Sequence, residues 1–197
     1  MIDVLLLAGG KSSRMGEDKA TMLIDGQPLL ARIVDAVNHL GKVHIVGGSA
    51  DLIGLLGSRG NSISHIPDPR AEVGPFGAMV HAAQIVDRSE IVVISCDLAQ
   101  LTSEAMDLLV QARRSTGAAV AVPLIGGRRQ WHALVFAAAI TPLLASRHDA
   151  GITSFHRGFA GVRECAIVPT TPVPFGDIDT PEDLAQLGLS ASSRPAG

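Results

Sequence analysis

Residues 4–19 read VLLLAGGKSSRMGEDK, an aliphatic run that passes directly into a segment rich in glycine and cationic residues. The run at residues 4–7 predicts a buried strand, because uninterrupted aliphatic residues suit a strand that is covered on both faces. Similar short runs later in the chain predict further buried strands at residues 43–46, 91–94, 118–122 and 166–168.

Helical segments separate these predicted strands, at residues 29–39, 77–86 and 103–114. In the last of them Met106, Leu109 and Val110 recur at helical spacing. The alternation predicts an α/β fold, a three-layer doubly wound Rossmann-like sandwich with a mainly parallel sheet. A turn at residues 126–130 predicts a further strand at 132–136, antiparallel or at the sheet edge.

The chain has 197 residues, enough to form one domain that buries its own core. We expect a single domain over residues 1–188 and a disordered tail over residues 189–197. Shortly before the tail, residues 180–183 read TPED and predict the start of a helix, with Thr180 as its N-cap and a proline in its first turn.

Charge and hydropathy exclude several classes of partner. The net charge is -3 and no run of Lys or Arg occurs, so we expect no nucleic-acid binding. The first aliphatic run is too short to span a bilayer and lacks the basic start of a signal peptide, so we expect no membrane association. Cys96 and Cys165 lack the spacing of a zinc site or a disulfide framework, which favours a reducing, cytoplasmic location.

The segment after the first strand has the composition of a phosphate-binding loop. In a doubly wound sheet, ligands bind beyond the carboxyl ends of the strands. Gly9 and Gly10 allow backbone N–H groups to turn towards an anion, while Arg14 and Lys19 can neutralise a triphosphate. The spacing matches neither a Walker loop nor a GxGxxG loop. The alternative is an ordinary glycine-rich connection whose charges are solvated.

A single carboxylate follows another predicted strand, where residues 91–97 read IVVISCD. A hard oxygen ligand at a strand end can hold Mg2+, which takes one or two carboxylates together with water and substrate phosphates. We therefore interpret Asp97 as a magnesium ligand. The alternative is that Asp97 caps the following helix, but Thr102 is better placed for that role.

Two further carboxylates lie near the end of the chain. Asp177 and Asp179 flank Ile178, so their side chains point to opposite faces if the segment is extended, and only one of them easily faces the metal. We favour Asp179 as a second metal or nucleotide contact. Its alternative role is to brace the helix start at Thr180.

The glycine-rich loop resembles that of a known family. Residues 7–20, LAGGKSSRMGEDKA, closely resemble the LAGGxxxRMGxDK stretch of molybdenum cofactor guanylyltransferases, within the wider group of Rossmann-like nucleotidyltransferases. In that family the loop wraps the phosphates and guanosine of GTP. The resemblance therefore implies nucleotide contacts for a set of loop residues: Leu7, Ala8, Gly9, Gly10, Arg14 and Lys19.

The resemblance extends to other sites. It implies Mg2+ binding by Asp97 and nucleotide contacts by Asp97 and Asp68, although an Asp between prolines is equally well a turn residue. Residues 74–77, GPFG, resemble the family's turn into a helix beside the nucleoside. Residues 128–132, RRQWH, resemble the strand leading to the acceptor side, where basic side chains and His132 suit a pterin phosphate. Solvated charges on an edge strand are the alternative.

The activity that the resemblance implies is transfer of GMP from GTP to the terminal phosphate of molybdopterin, with release of pyrophosphate, in molybdenum cofactor biosynthesis. Arg14, Lys19 and Asp97 are then the catalytic residues, which act by positioning and charge neutralisation. The implied partners are the two small substrates, together with transient contacts to other cofactor-biosynthesis proteins or apo-molybdoenzymes.

Two features of the sequence keep rival functions open. Gly9 and Asp18 favour guanine, since the related molybdopterin cytidylyltransferases usually have LAAG and lack Asp before Lys. Residues 177–181, DIDTP, instead resemble those cytidylyltransferases, whereas the guanylyltransferases commonly carry Asn-x-Asn-Thr-Pro. The rivals are a cytidylyltransferase that uses CTP, a guanylyltransferase for another phosphorylated acceptor, and a noncatalytic nucleotide-binding module.

Overall fold

The computed structural model describes residues 2–9, 19–69, 73–171, 173–178, 183, 185, 188–189 and 191–192. Gly10, Arg14 and Asp179 lie outside these residues, as does Thr180 at the predicted helix start, and Lys19 is described by its backbone alone. None of the helices within the described part of the chain has the length and apolar character needed to cross a membrane.

The described strands are β1 (Ile2–Leu7), β2 (Leu23–Ile24), β3 (Gln27–Pro28), β4 (Gly41–Val46), β5 (Ser64–Ile66), β6 (Glu90–Ser95), β7 (Val120–Ile125), β8 (Arg128–Arg129), β9 (Ala133–Ala137), β10 (Glu164–Ile167) and β11 (Ala191–Ser192). The described α-helices are α1 (Leu29–Val37), α2 (Gly74–Ile85), α3 (Ser103–Thr116), α4 (Thr141–Asp149) and α5 (Phe155–Gly158). Short 3-10 helices cover Lys19–Thr21, Ala138–Ile140 and Val173–Phe175, and Ala50–Ser62 contains two 3-10 stretches separated by a kink at Gly57.

The main sheet has the strand order β10-β7-β9-β6-β1-β4-β5, and β8 pairs with β7 beside this path. Strand β1 pairs in parallel with both β4 and β6, β4 pairs in parallel with β5, and β10 pairs in parallel with β7. Strand β9 is antiparallel to both of its neighbours, β6 and β7. The long path of the sheet is therefore mainly parallel, with β9 inserted in the opposite direction.

Helices cover both faces of this sheet. One core cluster joins α1 and α3 to Val4 and Leu6 of β1. The other joins α2 and α4 to Leu5 and Leu7 of the same strand. Because successive side chains of a strand point to opposite faces, the aliphatic run in β1 fills both cores at once. The structure confirms the predicted three-layer α/β sandwich with a mainly parallel sheet.

Helix α3 begins at the residue that its sequence predicts. Thr102 Oγ1 accepts a hydrogen bond from the Ala105 N–H at 3.2 Å, which satisfies a donor of the first turn that has no partner within the helix. Gly117 ends the helix with φ 61°, a left-handed conformation that costs glycine no Cβ clash. Thr102, rather than Asp97, is therefore the cap of this helix.

The predicted turn at residues 126–130 joins antiparallel strands. Gly126 and Gly127 have φ of 55° and 75°, as a two-residue hairpin turn requires, and they link β7 to β8. The chain then enters β9 at Ala133. The expected antiparallel direction is confirmed, but β9 lies inside the sheet rather than at its edge, because β6 and β7 both pair with it.

A second, antiparallel sheet has the order β11-β2-β3. Strand β2 follows the 3-10 helix Lys19–Thr21, and Ala191 and Ser192 of β11 pair with it. Leu189 packs against the core cluster that contains α1. Residues 191 and 192 therefore have backbone partners on β2, and the expected disordered tail over residues 189–197 stays a prediction. The domain boundary at residue 188 stays a prediction.

A buried chain of side-chain hydrogen bonds ties β1, β4 and β5 together. His44 Nε2 lies 2.9 Å from Asp3 Oδ1, and Ser64 Oγ lies 2.7 Å from His44 Nδ1. Asp3 and His44 are both buried, and buried polar groups without partners are costly. These hydrogen bonds therefore help to hold β5 in place. Strand β5 is a three-residue edge strand that leads to Asp68.

Glu90, at the start of β6, holds the last turn of α3. Arg113 Nε and Nη2 donate to Glu90 Oε1 at 3.0 and 2.5 Å, and Arg114 Nε and Nη2 donate to Oε2 at 2.8 and 2.6 Å. Burial raises the pKa of Glu90, but the hydrogen bonds from Arg114 and Arg113 outweigh that effect, so the pKa lies below the ordinary value of 4.5. The carboxylate therefore stabilises the fold above pH 4.5 and loses this contribution as the pH falls through its folded-state pKa.

We expect Glu90→Gln to lower the free energy of unfolding by about 2 kcal/mol at neutral pH, the scale of hydrogen bonds to charged groups. Urea unfolding followed by circular dichroism measures this loss. The difference from the wild type should shrink as the pH falls below 4.5. Asp87→Asn, at an exposed carboxyl group, is the matched control. A deficit of the same size at neutral and acidic pH would contradict the role given to the Glu90 charge.

Candidate functional site

The carboxyl ends of β1, β4, β5 and β6 lie at one edge of the sheet, and backbone pairing continues past the ends of the strands there. The Ala8 N–H donates to Val46 O at 2.9 Å, and the Cys96 N–H donates to Leu7 O at 3.1 Å. These bonds fix the first residues of the glycine-rich loop between the loops that follow β4 and β6. Asp97 therefore lies directly beside the start of the glycine-rich loop.

Asp68 lies against two glycines at this edge. The Gly47 N–H donates to Ile66 O at 2.9 Å, which brings the loop after β5 beside the loop after β4. A Cβ on Gly47 would lie 2.7 and 3.0 Å from the two carboxylate oxygens of Asp68, and one on Gly9 would lie 2.9 Å from Asp68 Oδ2. A Cβ on Gly47 would also lie 3.0 Å from Gly9 Cα, so glycine at these positions lets two backbone segments and the exposed Asp68 carboxylate pack closely. We refer to Gly9, Gly47 and Asp68 as the glycine shelf.

The structure places the other predicted loop residues in different ways. Leu7 and Ala8 are buried, so they can contribute backbone atoms, but not exposed side chains, to this edge of the sheet. Lys19 begins the 3-10 helix that precedes β2. Gly10 and Arg14 lie outside the described residues, so their roles stay predictions.

Asp97, His132 and Asp177 form a cluster at the end of β6. His132 Nδ1 lies 3.7 Å from Asp97 Oδ2, and His132 Nε2 lies 3.7 Å from Asp177 Oδ2. One ligand atom from each residue lies within 4.8 Å of the other two. The side chain of Asp97 is 13% exposed, whereas those of His132 and Asp177 are 39% and 40% exposed. The cluster is thus anchored on a buried carboxylate and opens to solvent on the other side.

Backbone hydrogen bonds bring these three residues together from distant parts of the chain. The Ser95 N–H donates to His132 O at 2.8 Å, which extends the pairing of β6 with β9 by one residue. The Ile178 N–H donates to Asp97 O at 3.0 Å, which places Asp177 beside the end of β6. Ile178 is 1% exposed, so its burial in the core anchors the returning segment.

The members of the cluster are not the same set of residues that the sequence predicts as metal ligands. Asp177, which ranked behind Asp179 as a metal ligand, is a member, and Asp179 lies outside the described residues. His132, expected at the acceptor side, lies between two carboxylates. The pairing of β9 with β6 sets His132 next to Ser95, and a single sequence does not specify which strands pair. Only knowledge that β9 pairs with β6 would have predicted that His132 lies in the site.

One of the basic side chains expected at the acceptor side, Arg129, is neutralised by a carboxylate on a neighbouring strand. Arg129 Nε lies 2.7 Å from each carboxylate oxygen of Glu164 on β10. The hydrogen bond from Arg129 to Glu164 and the negative charge of Glu164 raise the pKa of Arg129. Arg129 therefore has an ion-pair partner on the sheet. This fits the alternative interpretation, in which Arg129 is a charge on an edge strand, better than a contact with the acceptor.

Trp131, the residue before His132, packs in an aromatic group. Its ring stacks on Phe159 with a centroid separation of 5.6 Å and on Phe155 with a separation of 6.5 Å. Phe76 of α2 meets Phe155 edge to face at 5.6 Å. Aromatic pairs of this geometry add to the stabilisation from area burial. The group holds the start of β9, and with it the backbone of His132, against α2 and α5.

A protein-family model described as a MobA-like NTP transferase domain matches residues 4–164. The chain belongs to this family. It is 30% identical to a probable molybdenum cofactor guanylyltransferase from Synechococcus elongatus, with 94% of this chain and 97% of that protein covered. It is also 30% identical to the molybdenum cofactor guanylyltransferase from Rhodobacter capsulatus, with 92% of each covered.

The MobA-like assignment agrees with the fold of a solved structure. Molybdopterin-guanine dinucleotide biosynthesis protein A from Archaeoglobus fulgidus superimposes with a TM-score of 0.77 at 18% identity, and 94% of this chain and 96% of that chain are covered. The residues matched by the MobA-like model include the glycine shelf, Asp97 and His132. Asp177 lies beyond them, so its place in the cluster rests on the structure of this MobA-like chain.

Gly47→Ala tests how tightly the glycine shelf is packed. Gly47 has φ 74°, a conformation that costs other residues roughly 1–2 kcal/mol, and the new Cβ would lie 3.0 Å from the backbone atom Gly9 Cα as well as against the Asp68 carboxylate. Gly151→Ala is the control, because Gly151 has φ 87° but open space around its Cβ position. In chemical denaturation, Gly47→Ala should lose at least about 1 kcal/mol more than Gly151→Ala, the lower end of overpacking costs. Equal losses would mean that Gly47 does not pack closely on Gly9 and Asp68 in solution.

Proposed function

We propose that this MobA-like NTP transferase transfers GMP from GTP to the terminal phosphate of molybdopterin and releases pyrophosphate. The observation that carries the proposal is the hydrogen bond from the Cys96 N–H to Leu7 O, which joins the loop of Asp97 to the start of the glycine-rich loop. A triphosphate held by the glycine-rich loop would therefore lie beside the carboxylate cluster. Charge neutralisation and positioning are the main requirements of this chemistry.

The names of the relatives support the choice of donor and acceptor. Both relatives at 30% identity are named molybdenum cofactor guanylyltransferases, one of them as probable, and the alignments cover more than nine-tenths of this chain. Within the loop, Gly9 and Asp18 favour guanine over cytosine by the resemblance described above. GTP is therefore the proposed donor.

The donor atoms of the cluster fit a magnesium ion. Asp97 and Asp177 offer hard carboxylate oxygens, and Mg2+ in proteins takes one or two carboxylates while it keeps water and substrate phosphates. Asp97 would hold the ion, with Asp177 or Asp179 as the second carboxylate. Bound there, Mg2+ would supply positive charge that offsets the negative charge of the triphosphate.

The protein's own side chains would bind the nucleotide and neutralise the charge that develops during the transfer. An oxygen of the acceptor phosphate forms a bond to the α-phosphorus of GTP as the bond to pyrophosphate breaks. The acceptor oxygen is already anionic, so no general base is needed. Arg14 and Lys19 would neutralise the charge that develops on pyrophosphate, and Asp68 on the glycine shelf would contact the nucleotide.

Cytidylyl transfer from CTP is the second candidate function. The observation that favours it is the position of Asp177 in the cluster, since Asp177 begins the Asp-Ile-Asp-Thr-Pro segment that resembles the cytidylyltransferases. The two candidates share the fold, the loop and the cluster. They differ in the base of the nucleotide that binds.

Nucleotide selectivity separates the candidates. We expect GTP with Mg2+ to raise the free energy of unfolding by about 2.7 kcal/mol at a hundred times its dissociation constant, because the ligand binds the folded state alone. Thermal denaturation with GTP, CTP, ATP and UTP measures the effect, and Asp97→Asn should weaken it. Asp87→Asn is the control for a surface carboxyl group. Selective stabilisation by CTP would favour the second candidate, and no response to any nucleotide would overturn both.

Turnover tests the catalytic roles. We expect Asp97→Ala or Lys19→Ala to lower the rate of pyrophosphate release with GTP and molybdopterin by at least about 100-fold, the scale for the loss of a principal charge stabiliser. Coupled detection of pyrophosphate measures the rate, and circular dichroism confirms that each variant is folded. Near-normal turnover in both variants would exclude the proposed mechanism. Nucleotide binding without pyrophosphate release in the wild type would instead indicate a noncatalytic binding module.

A further inference from the structure

The imidazole of His132 faces a different carboxylate with each of its ring nitrogens. Nδ1 faces Asp97 and Nε2 faces Asp177, each at 3.7 Å. Neither separation is a hydrogen bond, for which about 3 Å is required. The three side chains are therefore gathered around the buried carboxylate of Asp97 without being bonded to one another through the imidazole.

We propose that His132 Nδ1 is a nitrogen ligand of the divalent cation held by Asp97, so that the site binds Mn2+ more tightly than Mg2+. This inference rests on the proposed function for the presence of a cation. It goes beyond that function in assigning a ligand to His132 and in naming the class of ion, a first-row transition metal, that the cluster takes most tightly.

The geometry suits a shared ion between His132 and Asp97. Adjacent ligands of an octahedral ion at about 2.1 Å lie roughly 3 Å apart, so Nδ1 and Asp97 Oδ2 need to approach by less than about 1 Å. The exposed fraction of 39% leaves the imidazole room to rotate by this amount. Asp97 is the more buried partner and would stay in place.

The second carboxylate has a role in the same arrangement. A histidine that binds metal through one nitrogen almost always donates its other N–H to a carboxylate, a carbonyl or water, which fixes the ring and its tautomer. Asp177 Oδ2 faces His132 Nε2 and, in this arrangement, accepts that hydrogen bond instead of binding the ion itself. A connected series then runs from Asp97 to the cation, His132 and Asp177. This series explains why the two ring nitrogens face different carboxylates.

The chemistry of the donors decides which ion is preferred. Mg2+ takes oxygen ligands and gives up its water reluctantly, so an imidazole adds little to its binding. Imidazole suits Fe2+, Ni2+, Cu2+ and Zn2+, and the affinity of a given site for first-row divalent ions rises from Mn2+ to Cu2+, so Mn2+ is the weakest-binding member of this class. A cluster of one carboxylate and one imidazole, backed by a second carboxylate, therefore accepts Mg2+ through its oxygen donors but binds a first-row transition metal more tightly.

Electron paramagnetic resonance with Mn2+ tests the assignment directly. The full-length protein, freed of any polyhistidine tag, is titrated with MnCl2 in the absence and presence of GTP, and loss of the free-ion signal gives the affinity. We expect Mn2+ to displace Mg2+ in competition, because an imidazole ligand adds more to the binding of a transition metal than to that of Mg2+. Electron spin echo measurements on the bound ion should show a directly coordinated imidazole nitrogen, and isotopic labelling of histidine should change that signal.

Variants identify the histidine concerned. His132→Asn should abolish the nitrogen signal and lower the Mn2+ affinity at least about tenfold while it changes the Mg2+ affinity much less. Asp177→Asn should retain the nitrogen signal and lower the Mn2+ affinity by about 10–100-fold, the usual cost of losing the partner of a metal-binding histidine. His156→Asn, at an exposed histidine on α5, is the control and should change neither quantity.

The outcomes separate this inference from the proposed function. Mn2+ that binds without a nitrogen signal, or with a signal that survives in His132→Asn, would overturn the inference, and so would failure of Mn2+ to bind with and without GTP. Nucleotide selectivity in thermal denaturation is scored independently. Stabilisation by GTP together with no nitrogen signal would reject only the role of His132, whereas a nitrogen signal without any nucleotide response would reject only the proposed function.

Discussion

Strand β1 lies between β4 and β6, and this pairing is the constraint on which the rest of the structure depends. All six residues of β1 are buried, and the strand is hydrogen bonded along both sides. The pairing continues beyond the strand, from the Ala8 N–H to Val46 and from the Cys96 N–H to Leu7. Because an unpaired buried backbone group costs about as much as a lost hydrogen bond, the first residues of the glycine-rich loop cannot shift independently of the loops on either side.

The direction of β9 explains how a histidine reaches the end of β6. A parallel neighbour would present its own carboxyl end at this edge, with the loop that follows it. Strand β9 runs antiparallel to β6, so its amino end lies there instead, and the residue that precedes the strand, His132, is placed beside Ser95. The third member of the cluster, Asp177, arrives by a separate route, through the hydrogen bond between Ile178 and Asp97.

Local patterns in the sequence predict the local parts of this structure. Aliphatic runs predict the parallel strands, and Thr102 predicts the start of α3, because strand burial and helix capping depend on neighbouring residues. The position of β9 inside the sheet and the pairing of β11 with β2 depend on contacts between distant segments, which no local pattern encodes. The same limit applies to the site, where Asp97 is identified from its own strand but the position of His132 follows only from the order of the strands.

The strand order also sets the length of the candidate site. Asp68 follows β5 and His132 precedes β9, and the path β5-β4-β1-β6-β9 contains four inter-strand spacings of about 4.8 Å, or roughly 19 Å in all. The glycine-rich loop leaves β1 at the middle of this edge. An extended ligand with a nucleoside at one end and reacting phosphates near the cluster is the kind of molecule that such an edge accommodates. Since β1 is hydrogen bonded on both sides, one continuous sheet carries both the glycine shelf and the cluster of Asp97, His132 and Asp177, and such a common support helps to position two bound groups for transfer.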